Sequence, residues 1–193
     1  MIKFNGLNKV KIAVFISGKG SNLENLIKFS KKKNSIFEIA LVLSNNNKAT
    51  GLKFCKQYQI KKIINPISTK ISEKILISIL KKNDIKFICL AGFMSILSKD
   101  FIKKFNGKIL NIHPSLLPKY KGLNTHYRAI INKDKYSGCT VHFVNSKLDS
   151  GKIVSQKKVR ILKNDTVKSL GRRILKQEHI LYPKALNKVL LNL

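Results

Sequence analysis

KIAVFISGKGSNL, residues 11–23, decides the fold that the sequence predicts. Its first seven residues form an apolar, partly β-branched run, which is typical of a buried strand. The glycines after it and the helical spacing of Leu23, Leu26 and Ile27 predict a tight turn into a helix. Similar apolar runs recur along the chain, at residues 38–44, 61–64, 87–91 and 108–112. This alternation predicts an α/β fold with a mostly parallel sheet and helices on both faces.

The C-terminal part of the chain has a different pattern. Residues 138–144 and 152–161 predict two strands, and we expect them to extend the sheet with antiparallel pairing. Residues 166–190 predict a closing helix, with Asn164 or Asp165 as N-cap and a kink or interruption at Pro183. With no repeat or low-complexity linker, the sequence predicts a basic leader over residues 1–9 and a single domain over residues 10–193.

The composition limits the possible partners. The formal net charge is +30, but the basic residues are scattered lysines with only four arginines, which favours a solvated surface over a specific nucleic-acid face. Such a field would still steer an anionic small molecule. The three cysteines lack CxxC spacing, so we expect neither disulfides nor a metal site. With no apolar run long enough for a signal peptide or membrane helix, we expect a cytoplasmic protein without a membrane partner.

The turn at residues 17–23, SGKGSNL, can bind a phosphate, because its glycines allow close approach and the helix start presents unpaired N–H groups. It is neither a dinucleotide fingerprint, since Leu23 occupies the third glycine position, nor a Walker A loop. The alternative is a turn that only begins a helix.

A second motif is KILNIHPSLLPKYKG, residues 108–122. On a strand, Asn111 and His113 point to the same side, where an amide and an imidazole can stabilise an oxyanion. Asp149, in the LDSG loop at residues 148–151, could hold the imidazole in its charged form and relay a proton. The alternatives are that loop backbone satisfies Asn111 and His113, and that Asp149 is an ordinary turn cap.

Two further polar residues are weaker candidates. His142 lies in the middle of a predicted strand, so it reaches either the site or the surface. Glu178 lies on the closing helix, where a solvated polar face is the usual explanation.

Six blocks of the sequence together resemble the glycinamide ribonucleotide formyltransferase family: ISGKGSNL (16–23), LAGFMSILS (90–98), LNIHPSLLPKYKGLNTH (110–126), GCTVHFV (138–144), LDSGKIVSQ (148–156) and QEHILYP (177–183). The resemblance implies a Rossmann-like formyltransferase fold. It also implies an enzyme that transfers the formyl group of 10-formyltetrahydrofolate, its co-substrate, to the amine of glycinamide ribonucleotide in purine biosynthesis, without a metal. We expect a monomer or a homodimer.

The resemblance also implies roles for individual residues. The catalytic group would be Asn111, His113 and Asp149. The ribonucleotide phosphate and ribose would contact Gly20, Ser21, Asn22 and Glu178. The folate would contact Met94, Ser95, Ile96, Leu97, Asn111 and His142. Ser95 stands where the family often has arginine, and Asn124 where it often has histidine, so the folate-tail and substrate contacts there differ.

Two alternatives remain at this point. The first is the catalytic domain of a methionyl-tRNA formyltransferase, which shares the donor and a related SLLP segment; the absence of sequence after Leu193 for an RNA-binding domain favours the ribonucleotide enzyme. The second is a basic RNA-binding module on the same fold, which would bind arbitrary RNA with a steep salt dependence.

Overall fold

The computed structural model describes residues 9–65 and 70–192, so the leader expected over residues 1–9 lies outside it except for Lys9. The strands are β1 (Val10–Ile16), β2 (Phe37–Ser44), β3 (Lys61–Ile64), β4 (Phe87–Leu90), β5 (Lys108–His113), β6 (Tyr136–Phe143) and β7 (Ile153–Arg160). The helices are α1 (Ser21–Ser30), α2 (Lys53–Gln57), α3 (Lys70–Lys82), α4 (Lys99–Lys104), α5 (Thr125–Ile131) and α6 (Val167–Leu191), and a 3₁₀ turn lies at Thr50–Leu52. None of the described helices combines the length and the apolar character needed to cross a membrane.

The seven strands form one sheet in the order β3-β2-β1-β4-β5-β6-β7. The strands from β3 to β5 pair in parallel, whereas β6 pairs antiparallel with β5 and with β7. Both the mostly parallel sheet and its antiparallel C-terminal extension are therefore confirmed.

The central strand β1 is apolar on both faces, and each face packs against different helices. Ile12, Val14 and Ile16 share a hydrophobic cluster with buried residues of α1 and α6. Ala13 and Phe15 share a second cluster with buried residues of α3 and α4. Because successive side chains of a strand point to opposite faces, the predicted cover of helices on both faces is also confirmed.

The closing helix α6 differs from the sequence prediction in two respects. Its N-cap is Thr166, in a capping box with Ser169, and not Asn164 or Asp165. The Asp165 carboxylate instead accepts a hydrogen bond from the Ser169 hydroxyl at 2.7 Å. Pro183 does not interrupt the helix, because the residues around it are buried against the sheet and this packing outweighs the lost backbone hydrogen bond.

The strand order reverses direction between β1 and β4. From β1 the chain proceeds outward to β2 and β3, and then returns to place β4 on the other side of β1. In an open α/β sheet, the two connections that leave such a point in opposite directions create a crevice at the carboxyl ends of the strands. The turn after β1 and the loop after β4 both lie at this edge.

Candidate active site

Asn111, His113, His142 and Asp149 converge at the carboxyl end of β5. Asn111 pairs with His142 across the antiparallel β5–β6 ladder, and their Nδ2 and Nε2 atoms lie 3.2 Å apart. Asp149, from the β6–β7 loop, places its Oδ2 atom 3.4 Å from His113 Nδ1 and its Oδ1 atom 3.6 Å from His142 Nε2. The expectation that Asp149 meets His113 is confirmed. His142 is only 2% exposed, so the surface alternative for it is wrong.

The Asp149 carboxylate is held across the site and does not cap its own turn. The Gly122 N–H, from the loop after β5, donates to Asp149 Oδ2 at 2.8 Å. Asp149 has a left-handed backbone conformation with φ of 44°. Two residues later, a Cβ on Gly151 would lie 1.7 Å from the Phe143 carbonyl oxygen, so only glycine allows the loop to pass this close to β6.

Both ring nitrogens of His113 face oxygen atoms. Nε2 lies 2.8 Å from the Tyr120 carbonyl oxygen, and Nδ1 faces Asp149. Two such acceptors favour the doubly protonated imidazolium, but burial opposes it. Burial lowers the pKa of His113 below its usual value, and the hydrogen bond to Tyr120 and the charge of Asp149 only partly offset this. The site therefore holds the second proton on His113 weakly.

The charge of Asp149 and the tautomer of His142 follow from their partners. Burial raises the pKa of Asp149, but the contact with the His142 ring, the hydrogen bond from Gly122 and the nearby His113 ring outweigh it, so the pKa is lowered overall. His142 Nδ1 lies 2.8 Å from the Phe143 carbonyl oxygen, which can only accept, so this nitrogen carries a hydrogen. Its Nε2 atom then accepts from the Asn111 amide, which leaves one N–H of Asn111 for a ligand.

The glycine turn after β1 packs tightly against the 3₁₀ turn. Gly20 has φ of 71°, and a Cβ there would lie 2.7 Å from the Gly51 Cα atom. Gly20 precedes the first turn of α1, whose first N–H groups have no partner within the helix. The turn can therefore accept an anion.

Asn22 links this turn to α6. Its side-chain amide donates to Glu178 Oε2 at 2.7 Å, and its Oδ1 atom is buried without a hydrogen-bond partner among the described residues. Glu178 is 7% exposed, so the expectation of a solvated face was wrong. Burial raises the pKa of Glu178, and the hydrogen bond from Asn22 lowers it to a smaller extent.

The loop between β4 and α4 carries the residues expected to contact folate. Met94 and Ile96 are 70% and 78% exposed, whereas Leu97 is buried in the hydrophobic cluster of β1, α3 and α4. The Ser95 hydroxyl accepts a hydrogen bond from the Asn45 side chain at 2.6 Å. Two apolar side chains of this loop are thus free to contact a ligand, while Leu97 and Ser95 anchor it.

The glycine turn after β1, the loop after β4 and the cluster at the end of β5 lie side by side. Phe15 pairs with Leu90, and Leu90 pairs with Asn111, so the ends of β1, β4 and β5 are adjacent. The Tyr182 hydroxyl, from α6, lies 3.1 Å from the Leu90 carbonyl oxygen and 3.0 Å from that of Leu110. Sequence reasoning missed Tyr182 and the Tyr120 carbonyl, since neither belongs to a pattern that indicates chemistry.

A second groove on the described surface lacks the side chains needed for this kind of chemistry. A basic groove of about 260 Å³ between β7 and α6 is lined by Lys157, Lys158, Val159, Arg173, Lys176 and Gln177, with neither imidazole nor carboxylate. Within residues 9–65 and 70–192, no group of three or more His, Cys, Asp or Glu side chains is arranged to hold a metal ion.

Comparison with known sequences identifies a family for nearly the whole chain. Residues 10–186 match the formyl transferase family. A phosphoribosylglycinamide formyltransferase from Haemophilus influenzae is 44% identical over 177 residues, which cover 90% of this chain and 84% of that protein. The trifunctional purine biosynthetic protein adenosine-3 of Gallus gallus is 44% identical over 186 residues, or 94% of this chain. This chain spans only 18% of the length of that larger relative.

Solved structures share the fold. The phosphoribosylglycinamide formyltransferase of Anaplasma phagocytophilum is 40% identical, with a TM-score of 0.88 over 95% of this chain and 88% of that one. The enzyme of the same name from Brucella melitensis is also 40% identical, with a TM-score of 0.88 over 94% of this chain and 95% of that one.

Proposed function

This chain belongs to the formyl transferase family, and on that basis we propose that it transfers the formyl group of 10-formyltetrahydrofolate to the amine of glycinamide ribonucleotide. The products are formylglycinamide ribonucleotide and tetrahydrofolate. The reaction is an early step of purine biosynthesis. The observation that carries the proposal is the cluster of Asn111, His113, His142 and Asp149 at the sheet edge that also carries the glycine turn. The sequence similarity to named enzymes of this activity supports it independently.

The ribonucleotide is assigned to the glycine turn and α6. The phosphate would bind at Gly20, Ser21 and Asn22, where glycine permits close approach and the helix dipole favours an anion. Glu178 would contact the ribose or the glycinamide end. The Oδ1 atom of Asn22 has no partner among the described residues and can accept a hydrogen bond, and the Glu178 carboxyl beside it can accept another. Hydroxyl groups of a ribose can satisfy both.

The folate is assigned to the loop between β4 and α4. The exposed side chains of Met94 and Ile96 offer an apolar surface for its flat ring system. Leu97 and Ser95 would support that surface from beneath, since one is buried in the core and the other is bonded to Asn45. His142 and Asn111 would lie at the end where the formyl group is presented.

The reaction we propose is direct transfer. The amine attacks the formyl carbon, the carbonyl oxygen becomes an oxyanion, and the bond from that carbon to the folate nitrogen then breaks. Asn111 donates its free N–H to the oxyanion. His113 has no free N–H beside its contacts with Tyr120 and Asp149, so its own donation requires exchange of one of them. An oxyanion beside the ring would favour its imidazolium form against the effect of burial, and the charge of that form would support the oxyanion even without that exchange.

Asp149 completes the proton balance. The attacking amine becomes positively charged and must lose a proton, while the departing folate nitrogen must gain one. The Asp149 carboxylate, which its lowered pKa keeps charged, relays that proton through water to the leaving nitrogen. No net proton is taken up or released at the site.

The test is to mix the purified protein with glycinamide ribonucleotide and 10-formyltetrahydrofolate, and to detect the formylated product by mass spectrometry. We expect product only when both substrates are present. Asn111→Ala should reduce kcat by about 100- to 1000-fold, the usual effect of removing one oxyanion donor. Asn106→Ala, an exposed asparagine before the same strand, is the matched control and should retain wild-type turnover. Methionyl-tRNA is tested in a parallel reaction. If the protein formylated methionyl-tRNA and did not formylate the ribonucleotide, the proposed acceptor would be refuted.

A further inference from the structure

Three side chains connect the glycine turn to the loop between β4 and α4. The Ser17 hydroxyl donates to Asn45 Oδ1 at 2.6 Å, and the Asn45 amide donates to the Ser95 hydroxyl at 2.6 Å. The Ser17 hydroxyl also accepts from the Met94 N–H at 2.8 Å. All three side chains are partly buried, so water competes only partly for these bonds.

Ser17 is the residue where the two regions meet. Its own N–H donates to the Gly92 carbonyl at 3.2 Å, so two residues of the loop bond to this one serine. Ser17 lies directly before Gly18, Lys19 and Gly20, the turn assigned to the phosphate. Met94, bonded through its backbone, presents its exposed side chain on the surface assigned to folate.

We propose that Asn45 is a positioning residue that couples the binding of the two substrates. This inference rests on the proposed function, because it takes the glycine turn as the phosphate site and the Met94 loop as the folate site. Asn45 is itself assigned no contact with either substrate. It fixes the Ser17 hydroxyl through its Oδ1 atom and the Ser95 hydroxyl through its Nδ2 atom, so one side chain constrains both regions.

Coupling follows from the order that each ligand imposes. A phosphate that immobilises the turn also fixes Ser17. Asn45 holds the Ser17 hydroxyl in the orientation that accepts from the Met94 N–H, and it holds Ser95 directly. The folate then binds a loop that is already ordered, and loses less conformational entropy in doing so. The relation is reciprocal, since a coupling free energy between two sites acts equally on both ligands.

The experiment measures the dissociation constant of 5,8-dideazafolate, which carries no formyl group to transfer, with and without saturating glycinamide ribonucleotide. Calorimetry on the wild-type protein should show that the ribonucleotide tightens folate-analogue binding about fivefold or more. In Asn45→Ala the factor should fall below about twofold, because both bonds are lost. Asn47→Ala is the matched control, since Asn47 is exposed and its side chain makes no hydrogen bond with the described residues; it should retain the wild-type factor.

Asn45→Asp is the conservative variant. One carboxylate oxygen accepts from Ser17 and the other accepts from Ser95 once that hydroxyl turns to donate, so the wild-type factor should return. The added charge weakens ribonucleotide binding itself, but not the ratio. A separate measurement without ligand is amide hydrogen exchange, in which the Met94 N–H should exchange faster in Asn45→Ala than in Asn47→Ala.

Each remaining outcome overturns the inference. Two ligands that bind the wild-type protein with no mutual effect would remove the coupling and leave the proposed function intact. If Asn45→Ala kept the wild-type coupling factor, or if its Met94 N–H exchanged no faster than in Asn47→Ala, Asn45 would not be the residue that couples the two regions. Failure of both ligands to bind the wild-type protein would overturn the proposed function together with this inference.

Discussion

Replacing Asp149 by asparagine removes the negative charge of the site and retains nearly the same shape. The left-handed backbone at this position, with φ of 44°, is tolerated by asparagine as well as by aspartate. The amide oxygen of the new side chain can still accept the Gly122 N–H that now donates to Oδ2 at 2.8 Å. The variant should therefore fold with the same loop conformation.

The expected cost to stability is small. A hydrogen bond to a charged group contributes about 1.5–3 kcal/mol and a neutral one about 0.5–1.5 kcal/mol, so weakening the Gly122 bond costs about 1 kcal/mol. In a protein of this size that corresponds to a Tm lower by about 2–4 °C. The proton acceptor is lost altogether, and such a group contributes about 100- to 10,000-fold in rate, or about 2.7–5.4 kcal/mol.

The pKa of His113 should change in a known direction. The Asp149 carboxylate raises the pKa of His113 against the effect of burial, so its removal should lower that pKa further. An NMR titration of the ring should therefore show the imidazole of the variant taking up its proton at lower pH than that of the wild-type protein.

The assay compares kcat at saturating substrates with Tm for the wild type, Asp149→Asn and Asp100→Asn. Asp100 is an exposed carboxylate on α4, so its variant should match the wild type in both measurements. A loss of kcat below tenfold in Asp149→Asn would show that this carboxylate does not carry the proton. A Tm loss many times larger than expected would show that its role is structural.

Three other predictions concern the buried histidines, Gly151 and Tyr182. The pKa values of His113 and His126 are lowered by burial, so the stability they contribute is present above their usual pKa of about 6.5 and is lost as the pH falls below it. Urea denaturation from about pH 7.5 to about pH 5 should show a fall in unfolding free energy of up to about 1.4 kcal/mol per pH unit for each group, and a shallower fall in H126Q. Gly151→Ala should cost about 1–3 kcal/mol and most of the activity, since its Cβ would meet the Phe143 carbonyl; thermal unfolding and the transfer assay would check both. Tyr182→Phe removes a fully buried hydroxyl and should lower Tm by about 2–8 °C in a thermal scan, because the lost hydrogen bond contributes about 1–2 kcal/mol.

The sheet could be predicted from sequence because its signal is local. A parallel strand buried on both faces must be apolar throughout, and β1 at Val10–Ile16 differs from the predicted run at 11–17 by one residue at each end. The helix ends were harder, since the cap of α6 depends on which of several neighbouring polar residues bonds to the first turn. Thr166 and Ser169 bond to each other's backbone there, and the side chain of Asp165 bonds to Ser169.

The site was predictable as a set of residues, but not as a set of contacts. Asn111 and His113 could be placed on one side of β5 from their spacing alone. The pairing of Asn111 with His142 depends on the register of β5 against β6, and sequence does not give that register. For Glu178, the helical pattern alone favoured a solvated face, and it could not reveal the buried contact with Asn22, which lies 156 residues away along the chain.

Asp149 and Glu178 both have buried side chains at this edge of the sheet, and their pKa values shift in opposite directions. Asp149 contacts the His142 ring, receives a hydrogen bond from Gly122 and faces His113, and these partners overcome the cost of burial. Glu178 receives one hydrogen bond, from Asn22, and burial prevails. Environments that separate the pKa values of two acids usually separate their roles. We infer that Asp149 is the charged proton acceptor of the transfer, and that Glu178, which protonates more readily, is suited to hold hydroxyl groups of the substrate. Exchanging the two roles would require Glu178 to lose a proton where burial opposes its charge.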